Sequence, residues 1–218
     1  NSLKFKDEMD KKYKIKTNCI LNPFEFEKIK KLANEKCKNI FKKKKLKLIS
    51  IGRLTKQKDF ITLIKAIKNC QRRNVQLIII GKGSEESKLK EFVIENNLSE
   101  KIKFLGYKKN PFKYLKQADI LILTSIFEGS PNVLVEAQYL KKFVISTDCP
   151  TGPKEILNNG KFGELVNLYD YKLISKVIDN FVLNRNNKRK INLAYKQLYK
   201  YDYKKNCLSY FNLIKKYL

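Results

Sequence analysis

The 218-residue sequence contains no histidine, and its 21 acidic residues are outnumbered by 48 lysines and arginines, which gives a net charge of +27. Without histidine, the chain alone has no Ser-His-Asp triad, no histidine-ligated zinc site and no histidine general base. Hydrophobic residues nevertheless make up 43% of the sequence, enough to bury a core, so the charge does not indicate a disordered chain. The length suits one domain with appendages.

Paired cysteines and long apolar segments are also missing. The five cysteines are scattered and form no C-x-x-C pair, so the sequence indicates neither a disulfide framework nor a zinc knuckle. The longest apolar runs, Val75–Ile80 and Ile120–Leu123, are far shorter than the roughly 20 residues of a membrane span, and we find no signal peptide. We therefore expect a cytoplasmic protein. Because the sequence starts at Asn1 and its only methionine is Met9, we also expect a fragment or a processed product.

The excess of positive charge lies mainly at the two ends of the chain. Residues 1–47 carry 16 basic and 6 acidic side chains, residues 185–218 carry 10 and 1, and the middle of the chain carries 22 and 14. Such flanks are typical of a compositional bias toward Lys, Asn and Ile, and equally typical of a surface that binds an anionic membrane. No RNP motif, zinc finger or basic zipper accompanies the lysines, so we expect no specific nucleic-acid partner.

From residue 46 onward, short apolar runs rich in β-branched residues alternate with segments of helical periodicity, a pattern typical of βαβ units. The sequence therefore predicts an α/β fold with a doubly wound, Rossmann-like parallel sheet over residues 46–184, and basic helical arms in residues 1–45 and 185–218. Such sheets bind ligands at the carboxyl ends of their strands. The predicted strands are residues 46–51, 75–80, 102–105, 120–124, 143–146 and 163–166.

Helices are predicted between and after these strands. Apolar residues recur with the spacing of one helical face between residues 60 and 70. Ser130 is the predicted N-cap of another helix, with Pro131 at its first position. The remaining helices are predicted after Ser84, after Asn110-Pro111, at residues 171–181, and twice between a break near Asn186 and the C-terminus.

The loop that follows the fourth strand carries the clearest binding pattern. Glu128 and Glu136 stand eight residues apart on either side of a helix start. Pro131 at the first helical position leaves the N–H groups of Asn132 and Val133 unpaired, and such donors form an anion site together with the helix dipole. A carboxylate on each side can accept from vicinal hydroxyls. The order hydroxyl, diphosphate, hydroxyl fits a sugar nucleotide.

The loop after the first strand supplies positive charge for that diphosphate. Arg53 follows Gly52 directly after the strand, and its guanidinium can bind two phosphate oxygens at once. Lys58 provides a second cation at the start of the next helix. Together they can stabilise a departing nucleoside diphosphate electrostatically. The sequence has no Asp-x-Asp pair that indicates a metal, and we expect neither a metal nor a cofactor.

Two further loops leave their roles open. Gly81 and Gly83 follow the second strand, but a third glycine is missing, and Glu85 and Glu86 at the helix start disfavour a pyrophosphate, so no dinucleotide fingerprint is indicated. These glycines are interpreted either as a tight turn alone or as one that approaches a sugar. Residues 151–155 either cap a helix or line the pocket.

Taken together, these loops resemble glycosyltransferase family 4, whose members are retaining enzymes of the GT-B fold, and specifically the C-terminal, nucleotide-sugar-binding half of those enzymes. Residues 50–58 resemble the family's phosphate-binding loop, and residues 128–136 resemble its E-x7-E motif. Residues 104–107 resemble the segment whose backbone contacts the base of the nucleotide. Asn22-Pro23 resembles the turn through which the chain enters the C-terminal half. Residues 146–155 look like members that use UDP-linked N-acetylhexosamines for bacterial glycans.

The resemblance implies a role for each loop residue. Arg53 and Lys58 would bind the diphosphate, Glu128 would hold hydroxyls of the transferred sugar and Glu136 the ribose; Arg53, Lys58 and Glu128 are the residues implied in catalysis. A hexose or N-acetylhexosamine would pass, with retention of configuration, from a nucleotide sugar to a glycan or lipid-linked acceptor, at the inner face of a membrane. The donor would also contact Gly52, Tyr107, Gly129, Ser130, Asn132, Val133 and Leu134.

In this family the other half carries the acceptor site and usually a histidine near the sugar. Residues 1–45 would then be the connection from an absent acceptor domain, and we expect the chain alone to bind nucleoside diphosphate but to transfer sugar poorly. Two other classes remain open. A glycoside hydrolase also uses two carboxylates, and a non-catalytic basic module would bind nucleotides or other polyanions through its lysines.

Overall fold

A single sheet of six strands organises the protein in the computed structural model, which describes residues 2–216. The strands are β1 (Leu46–Ile51), β2 (Val75–Ile80), β3 (Ile102–Phe104), β4 (Ile120–Leu123), β5 (Phe143–Thr147) and β6 (Glu164–Val166). Their order is β3-β2-β1-β4-β5-β6, and every neighbouring pair is parallel. The predicted doubly wound sheet is confirmed, and each strand ends within one residue of its predicted limits. The chain reverses its direction of winding between β1 and β4, where such sheets bind their ligands.

Helices cover both faces of the sheet. Among the described residues no helix is long and apolar enough to cross a membrane. The helices are α1 (Leu3–Tyr13), α2 (Phe26–Ala33), α3 (Phe60–Asn69), α4 (Glu86–Glu95), α5 (Phe112–Leu115), α6 (Asn132–Tyr139), α7 (Pro153–Ile156), α8 (Tyr171–Asn180), α9 (Arg185–Lys196) and α10 (Tyr203–Ile214), with short 3-10 turns at Lys56–Lys58 and Gln197–Tyr201.

The core consists of two apolar layers, one on each face of the sheet. Neighbouring side chains of a strand point to opposite faces. Leu48 of β1 therefore packs in one layer with Leu63 of α3 and Ile178 of α8, whereas Ile49 packs in the other with Leu134 of α6. Because both faces of the sheet are covered, the central strands are almost entirely apolar, and their positions can therefore be predicted from the sequence.

Both basic ends of the chain contribute to these layers. Ile29 of α2 and Leu198, which follows α9, are buried against the α6 face, and Ile191 of α9 is buried against the other. The lysines of α2 point outward and are exposed. The charged surface and the apolar contacts of these segments therefore lie on opposite sides of the same helices.

The segment that enters the sheet is held by the segment that leaves it, and we call residues 22–24 with residues 200–206 the clasp. The N–H of Phe24 donates to the carbonyl of Tyr201 (2.9 Å), and the two rings pack edge to face. The buried amide of Asn206 donates to the carbonyls of Lys200 (3.0 Å) and Asn22 (3.5 Å). The clasp fixes the position of Asn22.

One predicted helix start was wrong. The N-cap of α6 is Pro131, whose backbone is extended with ψ of 102°, and Ser130 makes no capping bond, so the helix starts one residue later than predicted. Helix α9 starts at Arg185 after the non-helical residues 181–184, which agrees with the break predicted near Asn186, and the Asn184 side chain accepts from the N–H of its third residue. The last two residues of the predicted C-terminal helices lie outside the described part of the chain.

Candidate functional site

The loops that follow β1 and β2 lie directly against each other at the carboxyl edge of the sheet. The N–H of Leu54 donates to the carbonyl of Lys82 (3.0 Å). Gly81 has φ of +152°, and a Cβ at this position would overlap the carbonyl oxygen of Gly52. A Cβ at Gly83 would likewise overlap the carbonyl of Leu54. The close packing of the two loop backbones explains why both positions are glycine, and a contact with a sugar is not needed to explain them.

The two residues predicted to bind different parts of a donor, Lys58 and Glu128, form an ion pair with each other. The Nζ of Lys58 donates to Oε1 of Glu128. The side chains are only 16% and 9% exposed, respectively. Because β1 and β4 are neighbours in the sheet, the loops after them place residues seventy positions apart in contact. The charge of Lys58 is therefore already balanced within the protein.

Hydroxyl groups at the ends of β4 and β5 surround this pair. The fully buried Ser125 donates from Oγ to Oε1 of Glu128 (2.6 Å). Thr147 donates to the carbonyl of Ser125 (2.6 Å), and Thr151 to the carbonyl of Glu128. Ser125 was not among the predicted site residues. The signal available was its place at the end of a predicted strand, three residues before Glu128.

Arg53 stands apart from the ion pair and is exposed. Its guanidinium has no hydrogen-bond or salt-bridge partner among residues 2–216. It borders a cavity of about 530 Å³ beyond the ends of β1 and β2, with Ile51 and Ile80 as apolar lining and the exposed Tyr107 on its rim. Arg53, Gly52 and Tyr107 are thus brought together as predicted neighbours of one ligand.

The start of α6 presents backbone donors. Within the described chain, the N–H groups of Asn132 and Val133 have no acceptor. The Oδ1 of Asn132 accepts from Nδ2 of Asn22 (2.6 Å), so the clasp reaches this helix start. Gly129 faces open space, since a Cβ there would meet no atom within 4 Å. Ser130 lies between Gly129 and α6, whereas Leu134 is buried in the core and its N–H already donates to the carbonyl of Pro131 (3.1 Å).

The loop before α7 supports the Glu128 loop, and its Gly152 is the N-cap residue of α7. No side chain of residues 151–155 makes a capping bond to α7. A Cβ at Gly152 would lie 2.7 Å from the carbonyl oxygen of Gly129, so the two loops touch. The carboxylate of Glu155 instead accepts from Ser2 Oγ (2.5 Å) and from the N–H groups of Leu3 and Lys4 (both 2.9 Å). Burial opposes ionisation of Glu155, but these hydrogen bonds outweigh it and lower its pKa.

Glu136 occupies a different environment from Glu128. It lies one turn after Asn132 on α6, half-buried, and no donor among the described residues reaches its carboxylate. Burial raises the pKa of Glu136 to about 7. An unpartnered carboxylate at the ligand edge of a sheet is poised to accept hydrogen bonds from a ligand.

Replacing Glu136 by glutamine is expected to stabilise the chain more at pH 8 than at pH 5. The folded state favours the neutral carboxyl, so ionisation costs stability as the pH rises from about 4.5 to about 7, and the cost is complete above pH 7. The full difference is at most about 3 kcal/mol. Urea unfolding of both proteins at the two pH values measures it. Glu91→Gln, at an exposed position, serves as the control, and a pH-independent difference for Glu136→Gln contradicts the prediction.

Cys149 lies in the same loop region but is not suited to nucleophilic chemistry. Burial, followed by the charge of Glu128, raises the pKa of its thiol to about 11, so it is protonated at neutral pH. Within residues 2–216, no three His, Cys, Asp or Glu side chains cluster as metal ligands would. The polar groups that the described residues do place at this edge are cations, backbone donors and carboxylates.

Fold and site together define a doubly wound α/β domain whose carboxyl edge carries the exposed Arg53 and the open backbone donors of α6. Residues 33–198 match the family of glycosyl transferases group 1. The glycosyltransferase MJ1059 of Methanocaldococcus jannaschii is 42% identical over 153 residues, covering 67% of this chain and 37% of that protein. An α-1,4-N-acetyl-D-galactosaminyltransferase of Campylobacter jejuni is 34% identical over 154 residues, covering 69% and 42%. The chain belongs to the glycosyl transferases group 1 family, and it spans less than half the length of these two relatives.

Solved structures share the fold. A point mutant of Staphylococcus aureus TarM, in complex with fondaparinux, α-GlcNAc-glycerol and UDP, superimposes with a TM-score of 0.80 at 20% identity, covering 95% of this chain and 41% of TarM. Anabaena HepE, in complex with UDP and glucose, gives a TM-score of 0.78 at 19% identity, covering 92% and 57%. The predicted GT-B fold class is confirmed.

Proposed function

We propose that this chain is the donor-binding part of a retaining glycosyltransferase that transfers a hexose or N-acetylhexosamine from a UDP-linked donor to a glycan or lipid-linked acceptor in bacterial glycoconjugate biosynthesis. The observation that carries the proposal is the juxtaposition at one sheet edge of the unpartnered Arg53, the Lys58–Glu128 pair and the open start of α6. Residues 1–45 would connect this part to a domain that carries the acceptor.

The diphosphate of the donor would be bound by complementary charges. Arg53 is free to form two parallel hydrogen bonds to phosphate oxygens, and the N–H groups of Asn132 and Val133 add donors at the positive end of a helix. Lys58 would share its charge between Glu128 and the diphosphate. As the bond to the sugar breaks, charge develops on the leaving diphosphate, and these groups are already in place to stabilise it.

The two carboxylates would hold the sugars on either side of the diphosphate. Glu128 would accept from hydroxyls of the transferred sugar and Glu136 from the ribose. The leaving phosphate would assist the incoming hydroxyl on the same face, which retains the anomeric configuration. The cavity beside Tyr107 offers an apolar floor for the base. Neighbours in complex with UDP and an N-acetylgalactosaminyltransferase among the relatives support this choice of donor.

The rival functions fit the site less well. A glycoside hydrolase needs two carboxyl groups but no group that binds phosphate, whereas this edge also carries the unpartnered Arg53 and the open N–H groups at the start of α6. A module that binds polyanions through its lysines has no use for a half-buried carboxylate that lacks a hydrogen-bond donor. Among the described residues, Glu136 is such a carboxylate.

Uridine diphosphate is expected to bind the chain saturably in isothermal titration calorimetry, and Arg53→Ala is expected to weaken binding by about tenfold or more, as for lost hydrogen bonds between charged groups. Arg73→Ala removes an exposed arginine from the opposite edge of the sheet and should leave the affinity unchanged. Salt-sensitive binding of a DNA duplex without binding of uridine diphosphate would contradict the proposal and favour the basic module.

A basic face on α9 is proposed to meet an anionic membrane that carries a lipid-linked acceptor. Arg185, Lys188, Arg189 and Lys196 line one exposed side of the helix together with Leu193. Each such cation contributes about 1 kcal/mol near an anionic leaflet. The chain should cosediment with phosphatidylglycerol vesicles, and Lys188→Glu with Arg189→Glu should abolish this. The proposal is wrong if the chain cosediments equally with phosphatidylcholine vesicles, or if it cosediments with neither kind of vesicle.

A further inference from the structure

Ser125 carries a buried hydroxyl, and among the described residues the side chain that this hydroxyl binds is Glu128. It is fully buried at the end of β4, and its Oγ lies 2.6 Å from Oε1 of Glu128. A carboxylate only accepts hydrogen bonds, so the hydroxyl is the donor. The Thr147 hydroxyl in turn binds the carbonyl of Ser125 at 2.6 Å and holds its backbone. The neighbouring Thr124 hydroxyl binds the carbonyl of Lys58 at 3.0 Å, which fixes the other half of the pair.

The distribution of donors over the Glu128 carboxylate is uneven. Each carboxylate oxygen can accept about two hydrogen bonds. Lys58 and Ser125 both bind Oε1, whereas no donor in the described part of the chain binds Oε2. One oxygen is thus saturated by the protein, and the other keeps both of its acceptor positions.

We infer that Ser125 is a positioning residue for recognition of the transferred sugar: together with Lys58 it ties Oε1 to the protein and leaves Oε2 to the hydroxyls of the sugar. The inference rests on the proposed function, in which Glu128 receives that sugar. When a bound diphosphate draws on the charge of Lys58, the neutral and buried Ser125 still holds Oε1. Ser125 thus preserves the carboxylate orientation at the step at which the ion pair is weakened.

The same arrangement specifies the class of sugar. An oxygen that only accepts, with two free positions, matches two vicinal hydroxyl groups, each of which donates one hydrogen. A sugar that carries its own carboxylate would place like charges together and is disfavoured. The site therefore takes a neutral hexose or N-acetylhexosamine with adjacent free hydroxyls, and not a uronic acid.

Saturation-transfer difference NMR separates the sugar from the nucleotide, because sugar-ring and uracil protons of one ligand are observed independently. The probes are UDP-glucose, UDP-galactose, UDP-N-acetylglucosamine, UDP-N-acetylgalactosamine and UDP-glucuronic acid. The wild-type chain should give uracil signals with every probe and sugar-ring signals with at least one neutral sugar. Ser125→Ala should weaken the sugar-ring signals of that donor and leave the uracil signals in place. By calorimetry, its affinity for that donor relative to uridine diphosphate should fall about tenfold, as for a lost hydrogen bond to a charged group.

Ser175→Ala is the matched control, since Ser175 is equally buried but lies on α8 and binds Asn69 and the Lys172 carbonyl. It should change neither signal. Absence of uracil signals in the wild type overturns the proposed function and this inference with it. Uracil signals without any sugar signal, unchanged sugar signals in Ser125→Ala, or equal loss of both signals with a lowered melting temperature overturn the inference alone. Stronger sugar-ring signals from UDP-glucuronic acid than from the neutral donors overturn the assigned sugar class.

Discussion

Replacement of Lys58 by methionine is expected to lower the free energy of unfolding by about 3 kcal/mol, toward the lower end of the cost for a buried ion pair, because the Lys58 and Glu128 side chains keep 16% and 9% exposure. Methionine fills much of the volume of the lysine stem, so the loss is one of charge rather than of packing. The carboxylate of Glu128, 9% exposed, would keep only the Ser125 hydroxyl and lose its cation. Urea unfolding at neutral pH measures the effect.

The double variant Lys58→Met with Glu128→Gln is the appropriate control. It removes both charges, so most of the stability should return, because an uncharged pair of similar volume carries no unpaired buried charge. Uridine diphosphate binding should stay weak in this double variant, since the charge of Lys58 is still missing. If Lys58→Met unfolds at the wild-type urea concentration, the pair contributes nothing measurable and the expectation is wrong.

Gly81→Ala is expected to destabilise the chain by about 3 kcal/mol or more. Alanine at φ of +152° is strained, and its Cβ would overlap the carbonyl oxygen of Gly52. The overlap involves two backbones, so no side-chain rotation relieves it. The loop that carries Arg53 must then move away from the loop after β2, and affinity for uridine diphosphate should fall together with the melting temperature.

Gly129→Ala provides the comparison for stability. A Cβ at Gly129 would meet no atom within 4 Å, and its φ is not positive, so the melting temperature should stay within the range of a neutral surface change. Similar melting temperatures for the two alanine variants would show that the β1 and β2 loops can separate without cost.

The sequence was sufficient to predict the sheet because its central strands are buried on both faces. Val75–Ile80 is buried at every position, and such a run has few interpretations other than a central strand. The start of α6 was harder. Ser130-Pro131 satisfies the local rules for an N-cap followed by the first helical residue, yet Pro131 itself takes the extended cap position. The helix starts one residue later than predicted at a point where the loop of residues 129–131 packs on Gly152. A local sequence pattern contains no information about that contact.

The sequence predicted that the candidate residues lie at one edge of the sheet, but not which of their side chains contact each other. Lys58 and Glu128 were each assigned to a separate part of the ligand, and their mutual contact depends on the pairing of β1 with β4. Ser125 is inconspicuous because serine is common at strand ends, and only the fold directs its hydroxyl to Glu128. Gly81 and Gly83 were ambiguous for a related reason, since a loop against a loop and a loop against a ligand require the same residue.

The clasp links the candidate site to the order in which the chain is synthesised. Asn22 contacts Asn132 at the start of α6, but its own position depends on the bonds between Phe24 and Tyr201 and between Asn22 and Asn206. Contacts between such distant segments close late, because a long loop must be ordered before they form. During translation the sheet can pair while Asn22 is still unattached. The two bonds that hold Asn22 beside the start of α6 can therefore form only after the segment around residues 200–206 has emerged from the ribosome.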